Sequence, residues 1–222
     1  MVHLTGAGIL KTALIAILCA ALAPAEIIDR IAVSVGNRVI TVSDIERQLR
    51  LAAFLSGSKP ELSADARRKM AETMVDQKLV SRELETARYP EPDVFELDAA
   101  FADFKGNYFP SDADYRRALA DTGISEAELK ENLLWQRRWL SFVGVRFRPA
   151  IQVTDAEIRE YFEKTVLPVA QAANPGATFT LDEFRDRIHT KLTGDRVDQQ
   201  MAQWIAEMRA RTEVVFHEEA FR

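Results

Sequence analysis

Few residues in this 222-residue sequence have the type and spacing that catalysis or metal binding requires. After residue 25 the only histidines are His189 and His217, and they do not form a His-x-x-x-His pair. The single cysteine, Cys19, falls in an apolar N-terminal stretch, so it cannot complete a metal site with them. His189 follows the apolar Ile188 on a helical pattern, and a solvated histidine on a helix face explains it better than a ligand or a base. We therefore expect no bound metal.

Known catalytic signatures do not occur in the sequence either. It has no Gly-x-Ser-x-Gly sequence, no phosphate-binding Walker sequence and no glycine-rich dinucleotide loop. Carboxylate pairs such as Asp182 with Asp186, or Glu126 with Glu128, lie where the first turns of helices favour negative charge. Helix capping explains these pairs better than acid–base catalysis, so we expect no catalytic residues and no cofactor.

Methionine and aromatic side chains offer a different chemistry, because they adapt to many shapes and suit the recognition of varied apolar partners. Helical spacing places most of them in a core. Trp135 and Trp139 are the exception that we favour, since with Leu140 and Val143 they form an apolar stripe wider than one buried face needs. We expect some of these rings to line an exposed groove. The candidate residues for binding an apolar polypeptide are Met70, Met74, Phe101, Phe104, Trp135, Trp139 and Phe142.

Composition limits the class of protein and the class of partner. Charged residues make up 28% of the chain and apolar residues 47%, a balance typical of soluble globular proteins. The net charge of −5 argues against nucleic acid, whose binding needs a basic surface. The arginine doublets at 67–68, 116–117 and 137–138 lie among acidic residues, and we expect them on solvated helix faces.

The first 25 residues have the features of a secretory signal peptide. Lys11 precedes an uncharged stretch, residues 12–25, that ends in an Ala-Pro-Ala cleavage site. A membrane-spanning helix needs roughly 20 apolar residues, so cleavage after Ala25 is favoured over retention as an anchor.

Export and cleavage have consequences for the rest of the chain. The bulky Leu18 before Cys19 does not fit a lipoprotein signal, so we expect no lipid anchor. Cleavage removes Lys11 and no acidic residue, which changes the net charge from −5 to −6. It also removes the only cysteine, so the fold must depend on its apolar core. We expect a periplasmic protein with no stable membrane insertion.

Beyond the leader, the sequence predicts a hairpin followed by helices. Segments rich in valine and isoleucine surround Gly36-Asn37 over residues 28–42, which predicts a β-hairpin. Apolar spacing from Ser43 to about Thr212 predicts helices. Four capping boxes mark helix starts, and Asp93 and Ser111 begin weaker versions of the same signal. The boxes are Ser43-x-x-Glu46, Ser125-x-x-Glu128, Thr154-x-x-Glu157 and Thr180-x-x-Glu183.

The C-terminal part of the chain predicts how the fold closes. Residues 167–178 have the composition of a linker. In residues 179–222 we expect two successive helices and a final strand at 213–217. A lone strand leaves its backbone groups unpaired, so we expect it to join the N-terminal hairpin in a small antiparallel sheet. The prediction is a mainly α fold in which residues 26–166 and 179–222 form one helical core.

The order of these segments resembles that of the SurA-type periplasmic chaperone family. Residues 28–44 are similar to the valine-rich hairpin at the start of family members, and residues 67–84 to their second helix. The further similar segments are residues 123–133, 153–162 and 196–216. The resemblance covers nearly the whole chain after residue 25.

The sequence departs from the family at one place. In most relatives a parvulin-type peptidyl-prolyl isomerase module precedes the closing helix, and this chain has no segment similar to it. The resemblance therefore implies an ATP-independent periplasmic chaperone that binds unfolded polypeptides, especially outer-membrane protein precursors, in an apolar groove. A residual isomerase, and a dedicated assembly partner or homodimer, stay open as alternatives.

Overall fold

The computed structural model describes residues 29–222. The signal peptide predicted for residues 1–25 and the predicted start of the hairpin at residue 28 lie outside the described residues. Two strands come first, a series of helices follows, and a third strand and a short 3-10 turn, Glu218–Ala220, come last. The elements are β1 (Ile31–Val35), β2 (Arg38–Thr41), α1 (Val42–Ser56), α2 (Ala64–Thr86), α3 (Val94–Tyr108), α4 (Asp112–Thr122), α5 (Glu126–Arg146), α6 (Asp155–Tyr161), α7 (Leu167–Ala173), α8 (Leu181–Arg211) and β3 (Val214–Phe216).

The three strands form one antiparallel sheet in the order β2-β1-β3. Gly36 and Asn37 form the turn between β1 and β2, and Gly36 has a φ of +58°, which glycine adopts without steric cost. On the other side of β1, Val33 lies opposite Phe216 of β3. The predicted mainly helical fold with a small sheet is therefore confirmed.

Most of the predicted capping residues begin helices in the structure. Glu128, Glu157 and Glu183 each accept a hydrogen bond from the backbone N–H of the capping residue three positions earlier, at 2.6, 2.8 and 3.0 Å. Asp93 and Ser111 also accept backbone hydrogen bonds at the starts of α3 and α4.

The predicted box Ser43-x-x-Glu46 is wrong. Helix α1 begins at Val42, with Thr41 as the capping residue and Asp44 as its partner. The Thr41 N–H donates to the Asp44 carboxylate at 3.2 Å, and the Asp44 N–H donates to the Thr41 hydroxyl at 3.2 Å. Because Thr41 is also the last residue of β2, the strand passes directly into the helix.

The segment 167–178, predicted as a linker, is helical in its first part. A π-helical turn, Phe162–Val166, joins α6 directly to α7. Pro168 is the second residue of α7 and follows this π-helical turn directly. The irregular connection is therefore limited to residues 174–180.

The two successive helices predicted after this segment are one helix. α8 continues through 31 residues from Leu181 to Arg211. Its N-terminal half packs Ile188 against Ile158 and Phe162 of the preceding helices. Its C-terminal half packs Trp204 with the side chains of α5. One helix thus belongs to two apolar clusters.

Four apolar clusters are present in residues 29–222, and each joins elements distant in sequence. The first packs the sheet on α1 and α2 and includes Phe221 near the C-terminus, which is 5% exposed. The second is an aromatic cluster of α1, α3, α4 and α5. The third joins α2, α5 and α8, and the fourth joins α6, α7 and the N-terminal half of α8. Their central residues are Val33, Ile40, Ile45 and Val75; Phe54, Phe101, Tyr115 and Leu129; Val80, Phe142, Phe147 and Trp204; Ile158, Phe162 and Ile188.

Two arginines of α8 attach this helix to its neighbours. Arg209 donates to the Asp76 carboxylate at 2.6 Å and to the Glu72 carboxylate at 2.9 Å, which joins α8 to α2. Arg196 binds the backbone carbonyl of Gln152 and the carboxylate of Glu157, which joins α8 to the start of α6. α8 is therefore fixed near its middle and near its end.

Replacing a buried residue at the C-terminus tests whether the chain ends form part of the core. We expect Phe221→Ala to lower the free energy of unfolding in urea by about 3–5 kcal/mol, because it leaves a cavity beneath the sheet. The exposed neighbour Arg222 is the control, and Arg222→Ala is expected to change stability by less than about 0.5 kcal/mol. Equal effects of the two substitutions would contradict this packing.

Acid should weaken the attachment of α6 to α8. The Thr154 backbone N–H, followed by Arg196 and the Thr154 hydroxyl, lowers the pKa of Glu157 from its ordinary value of 4.5 to about 2. Because the folded pKa is below the unfolded one, this carboxylate stabilises the fold above pH 4.5, and its contribution is lost as the pH falls toward 2.

We therefore expect Glu157→Gln to be less stable than the wild type at pH 6, with a difference that shrinks between about pH 5 and pH 2. Urea unfolding across this range measures it. Glu163→Gln, at an exposed position of the adjoining π-helical turn, serves as the control. A Glu157→Gln difference that is independent of pH would argue against the proposed cause.

Candidate functional site

Helix α5 places Trp135 and Trp139 one turn apart, with ring centroids separated by 6.0 Å. Both rings are half-buried at the margin of the third cluster. They line different cavities: Trp135 faces a hollow between α1, α2 and α5, and Trp139 faces a groove between α5 and α8. The two tryptophans therefore do not share one cavity.

The groove between α5 and α8, which we call the α5–α8 groove, has a volume of about 430 Å³. Leu140 is its most accessible apolar residue, with 63% of the residue exposed. The surrounding α5 residues are Trp139 and Val143, and Val197 and Met201 of α8 face them. Five apolar side chains on two helices thus leave a concave surface open to solvent.

Polar residues surround the apolar part of this groove. Thr190 and Thr193 of α8 contribute hydroxyl groups, and Arg148, His189 and Asp198 complete the lining. The single arginine and the single aspartate of the lining carry opposite charges. An apolar surface bordered by a few polar groups is the usual form of a ligand site in proteins.

The hollow at Trp135 has a different character. Its volume is about 250 Å³, and charged and amide side chains form most of its lining. Arg47 lies 3.0 Å from Asp44 and 3.1 Å from Glu128, so its charge is already neutralised within the protein. This hollow suits water or a polar group better than an apolar chain.

Three of the predicted binding residues are buried, which corrects their assignment to an exposed surface. Phe142 is 0% exposed, and its ring centroid lies 5.2 Å from that of Trp204 and 5.4 Å from that of Phe147. Phe101 is buried against Tyr115, and Met74 is buried below the sheet. Neighbours distant in sequence cover all three, and no local spacing indicates those neighbours.

The remaining two predicted residues are half-buried, but they lie away from the α5–α8 groove. Met70 packs against the cluster below the sheet. Phe104 belongs to the aromatic cluster, with its ring centroid 6.2 Å from that of Phe54 and 5.1 Å from that of Tyr108. Trp139 is therefore the predicted residue that the structure places in this groove.

The sequence prediction missed the contribution of α8. Val197 and Met201 have the spacing of a core stripe, and both belong to the third cluster while also lining the groove.

The sequence prediction also missed the N-terminal part of α3, where Phe95 is 83% exposed. On the same helix, Leu97 lines a smaller apolar hollow of about 250 Å³ together with Leu133 and Leu134 of α5. Exposure of such residues depends on helix packing, which spacing alone does not reveal.

One set of polar side chains has the residue types of a hydrolase triad. Ser34 Oγ lies 3.0 Å from His217 Nε2, and His217 Nδ1 lies 3.9 Å from a carboxylate oxygen of Glu219. The second distance is too long for the hydrogen bond that orients a catalytic histidine. Ser34 lies on β1 and His217 follows β3, so their hydrogen bond joins β1 to the segment after β3.

Comparison with known proteins adds no family to this description. The chain matches no model of a known protein family, and no curated protein shows significant similarity to it. Within residues 29–222 no group of three or more His, Cys, Asp or Glu side chains is placed to hold a metal ion. Among the helices in that range, none combines the length and apolar character needed to cross a membrane.

Substitutions on α5 separate core residues from groove residues. We expect Phe142→Ala to lower the free energy of unfolding by about 3–5 kcal/mol, since it leaves a cavity beside Trp204. Trp139→Ala should cost about 1–2 kcal/mol, because its ring is already half-exposed. Urea unfolding followed by circular dichroism provides the comparison. A larger loss from Trp139→Ala would mean that Trp139, and not Phe142, holds α5 to α8.

Proposed function

We propose that this chain is an ATP-independent periplasmic chaperone that holds unfolded polypeptides in the α5–α8 groove. The observation that carries the proposal is the concave apolar surface around Trp139 and Leu140, which is open to solvent. An exposed apolar concavity in a soluble protein is typical of a binding surface. The proposal includes no catalytic step and no cofactor.

The chemistry of the groove suits chains of varied sequence. Trp139, Leu140 and Met201 offer apolar contact area without the dense polar pattern that selects one ligand. Methionine in particular adapts its shape to different partners. Hydroxyl groups of Thr190 and Thr193 are available to backbone groups of a bound segment. Such a surface favours apolar side chains, and it leaves the rest of the bound sequence free to vary.

The resemblance to SurA-type chaperones supports both the activity and the kind of client. Outer-membrane proteins consist of strands in which apolar residues alternate with polar ones. An unfolded precursor therefore presents many short segments in which an apolar side chain has polar neighbours. We propose such precursors as clients and the periplasm as the place of action, in agreement with the signal peptide predicted for residues 1–25.

Holding needs no energy source, because binding alone lowers the concentration of free aggregation-prone chain. Aggregation of unfolded chains starts from their exposed apolar segments. A chaperone that binds these segments reversibly slows aggregation and later releases the client.

Aggregation of a denatured outer-membrane β-barrel protein, diluted from urea without ATP, tests the proposal. We expect the purified protein in molar excess to slow the rise of light scattering. We expect Leu140→Asp to bind the client at least tenfold more weakly, because client binding would bury an unpaired carboxylate in the groove.

Val169→Asp is the matched control, since Val169 of α7 is 69% exposed, close to the 63% of Leu140, and lies outside the groove. This variant should protect the client as the wild type does. The proposal is wrong if the wild-type protein leaves aggregation unchanged. If both variants protect equally well, the client binds elsewhere on the protein. Copurification of one stoichiometric partner in place of many clients would favour a dedicated assembly partner.

A further inference from the structure

Gly194 occupies an unusual position for a glycine. It lies in the interior of the long helix α8 and lines the α5–α8 groove opposite residues of α5. Glycine destabilises a helix interior relative to alanine, because it loses more conformational freedom when the helix forms. Gly194 therefore lowers the intrinsic stability of α8 relative to alanine at this position.

The fold itself gives no reason for this glycine. The glycines with positive φ among the described residues are Gly36, Gly57, Gly123 and Gly176, so the backbone at Gly194 is accessible to any L-residue. A Cβ atom built on Gly194 would have no heavy atom within 4 Å, so no neighbouring element needs to approach its backbone closely. Because Gly194 lines the groove, a side chain at this position would extend into open space beside it.

We propose that Gly194 determines which side chains the groove accepts, by leaving room for a large apolar side chain of the bound polypeptide. This inference rests on the proposed function and concerns the same site. Charge gives the groove little selectivity, since Arg148 and Asp198 balance each other. Apolar contact area and shape are then the properties that distinguish one bound segment from another.

The expected ranking of ligands follows from the geometry. The side chain of a bound segment contacts the apolar residues Trp139 and Val143 on one wall and Val197 on the other. A larger side chain fills more of the volume of about 430 Å³ and removes more apolar surface from water. Affinity should therefore rise from an alanine guest to leucine and to phenylalanine or tryptophan. A side chain at position 194 would occupy part of this volume and reduce the advantage of the larger guests.

Fluorescence anisotropy with labelled peptides measures this ranking. The probes are fluorescein-labelled host peptides of Gly, Ser and Thr that carry Ala, Leu, Phe or Trp at two guest positions. We expect Gly194→Leu to weaken the binding of Phe and Trp guests by about tenfold, because overpacking forces side chains from their preferred positions. The same variant should leave the weaker Ala and Leu guests nearly unchanged.

Gly144 of α5 provides the matched control, because it is also a helical glycine with no heavy atom within 4 Å of a built Cβ, and it does not line the groove. Gly144→Leu should keep the wild-type ranking of guests. Thermal unfolding checks the fold, and alanine at either position is expected to raise the melting temperature by about 2–4 °C.

The outcomes separate this inference from the proposed function. If the wild type binds large guests better and Gly194→Leu keeps that ranking, the role of Gly194 is refuted and the chaperone proposal stands. If the wild type binds all guests equally, the groove does not select by size, and the inference fails in the same way. If no guest peptide binds the wild type, both the groove function and the role of Gly194 are wrong.

Discussion

The contact between Phe142 of α5 and Trp204 of α8 fixes the relation between the two helices that form the groove. Their ring centroids lie 5.2 Å apart, and both side chains are buried. Residues on either side of Phe142, namely Trp139 and Val143, line the groove on α5. On α8 the lining residues Val197 and Met201 precede Trp204 by less than two turns of helix. A shared aromatic core thus supports an apolar surface that stays open to solvent.

The position of α8 depends in turn on both of its ends. Its N-terminal half packs on α6 and α7, and its C-terminal half is joined to α2 by Arg209. Immediately after α8, β3 pairs with β1. This pairing joins the segment after α8 to the first strand of the sheet. The helix α8 thus connects the sheet with the cluster around Ile158. The groove lies beside the middle of that helix, next to Gly194.

Local sequence signals predicted the parts of the fold that depend on neighbouring residues. The turn at Gly36 and Asn37 and the capping carboxylates such as Glu128 require only short-range hydrogen bonds and backbone conformations, so their spacing reveals them. The pairing of β3 with β1 was also predictable, since a lone strand needs a partner for its backbone groups. In contrast, the helix α7 was missed because Pro168 is typical of a linker, although here the proline follows a π-helical turn within a continuous helical segment.

The candidate site was predicted only in part, for a physical reason. Trp139 lines the α5–α8 groove, but Phe142, three residues later on the same helix, is fully buried. The difference depends on Trp204, a residue 62 positions further along the chain, and no spacing on α5 indicates it.

Site-specific photo-crosslinking tests the central claim, client binding in the α5–α8 groove, most directly. A photoreactive phenylalanine analogue placed at position 140 should form crosslinks with a denatured outer-membrane β-barrel protein during dilution from urea. The same analogue at position 169, which is similarly exposed on α7, should form few. Equal crosslinking at both positions, or none at position 140 while aggregation is slowed, would contradict the account.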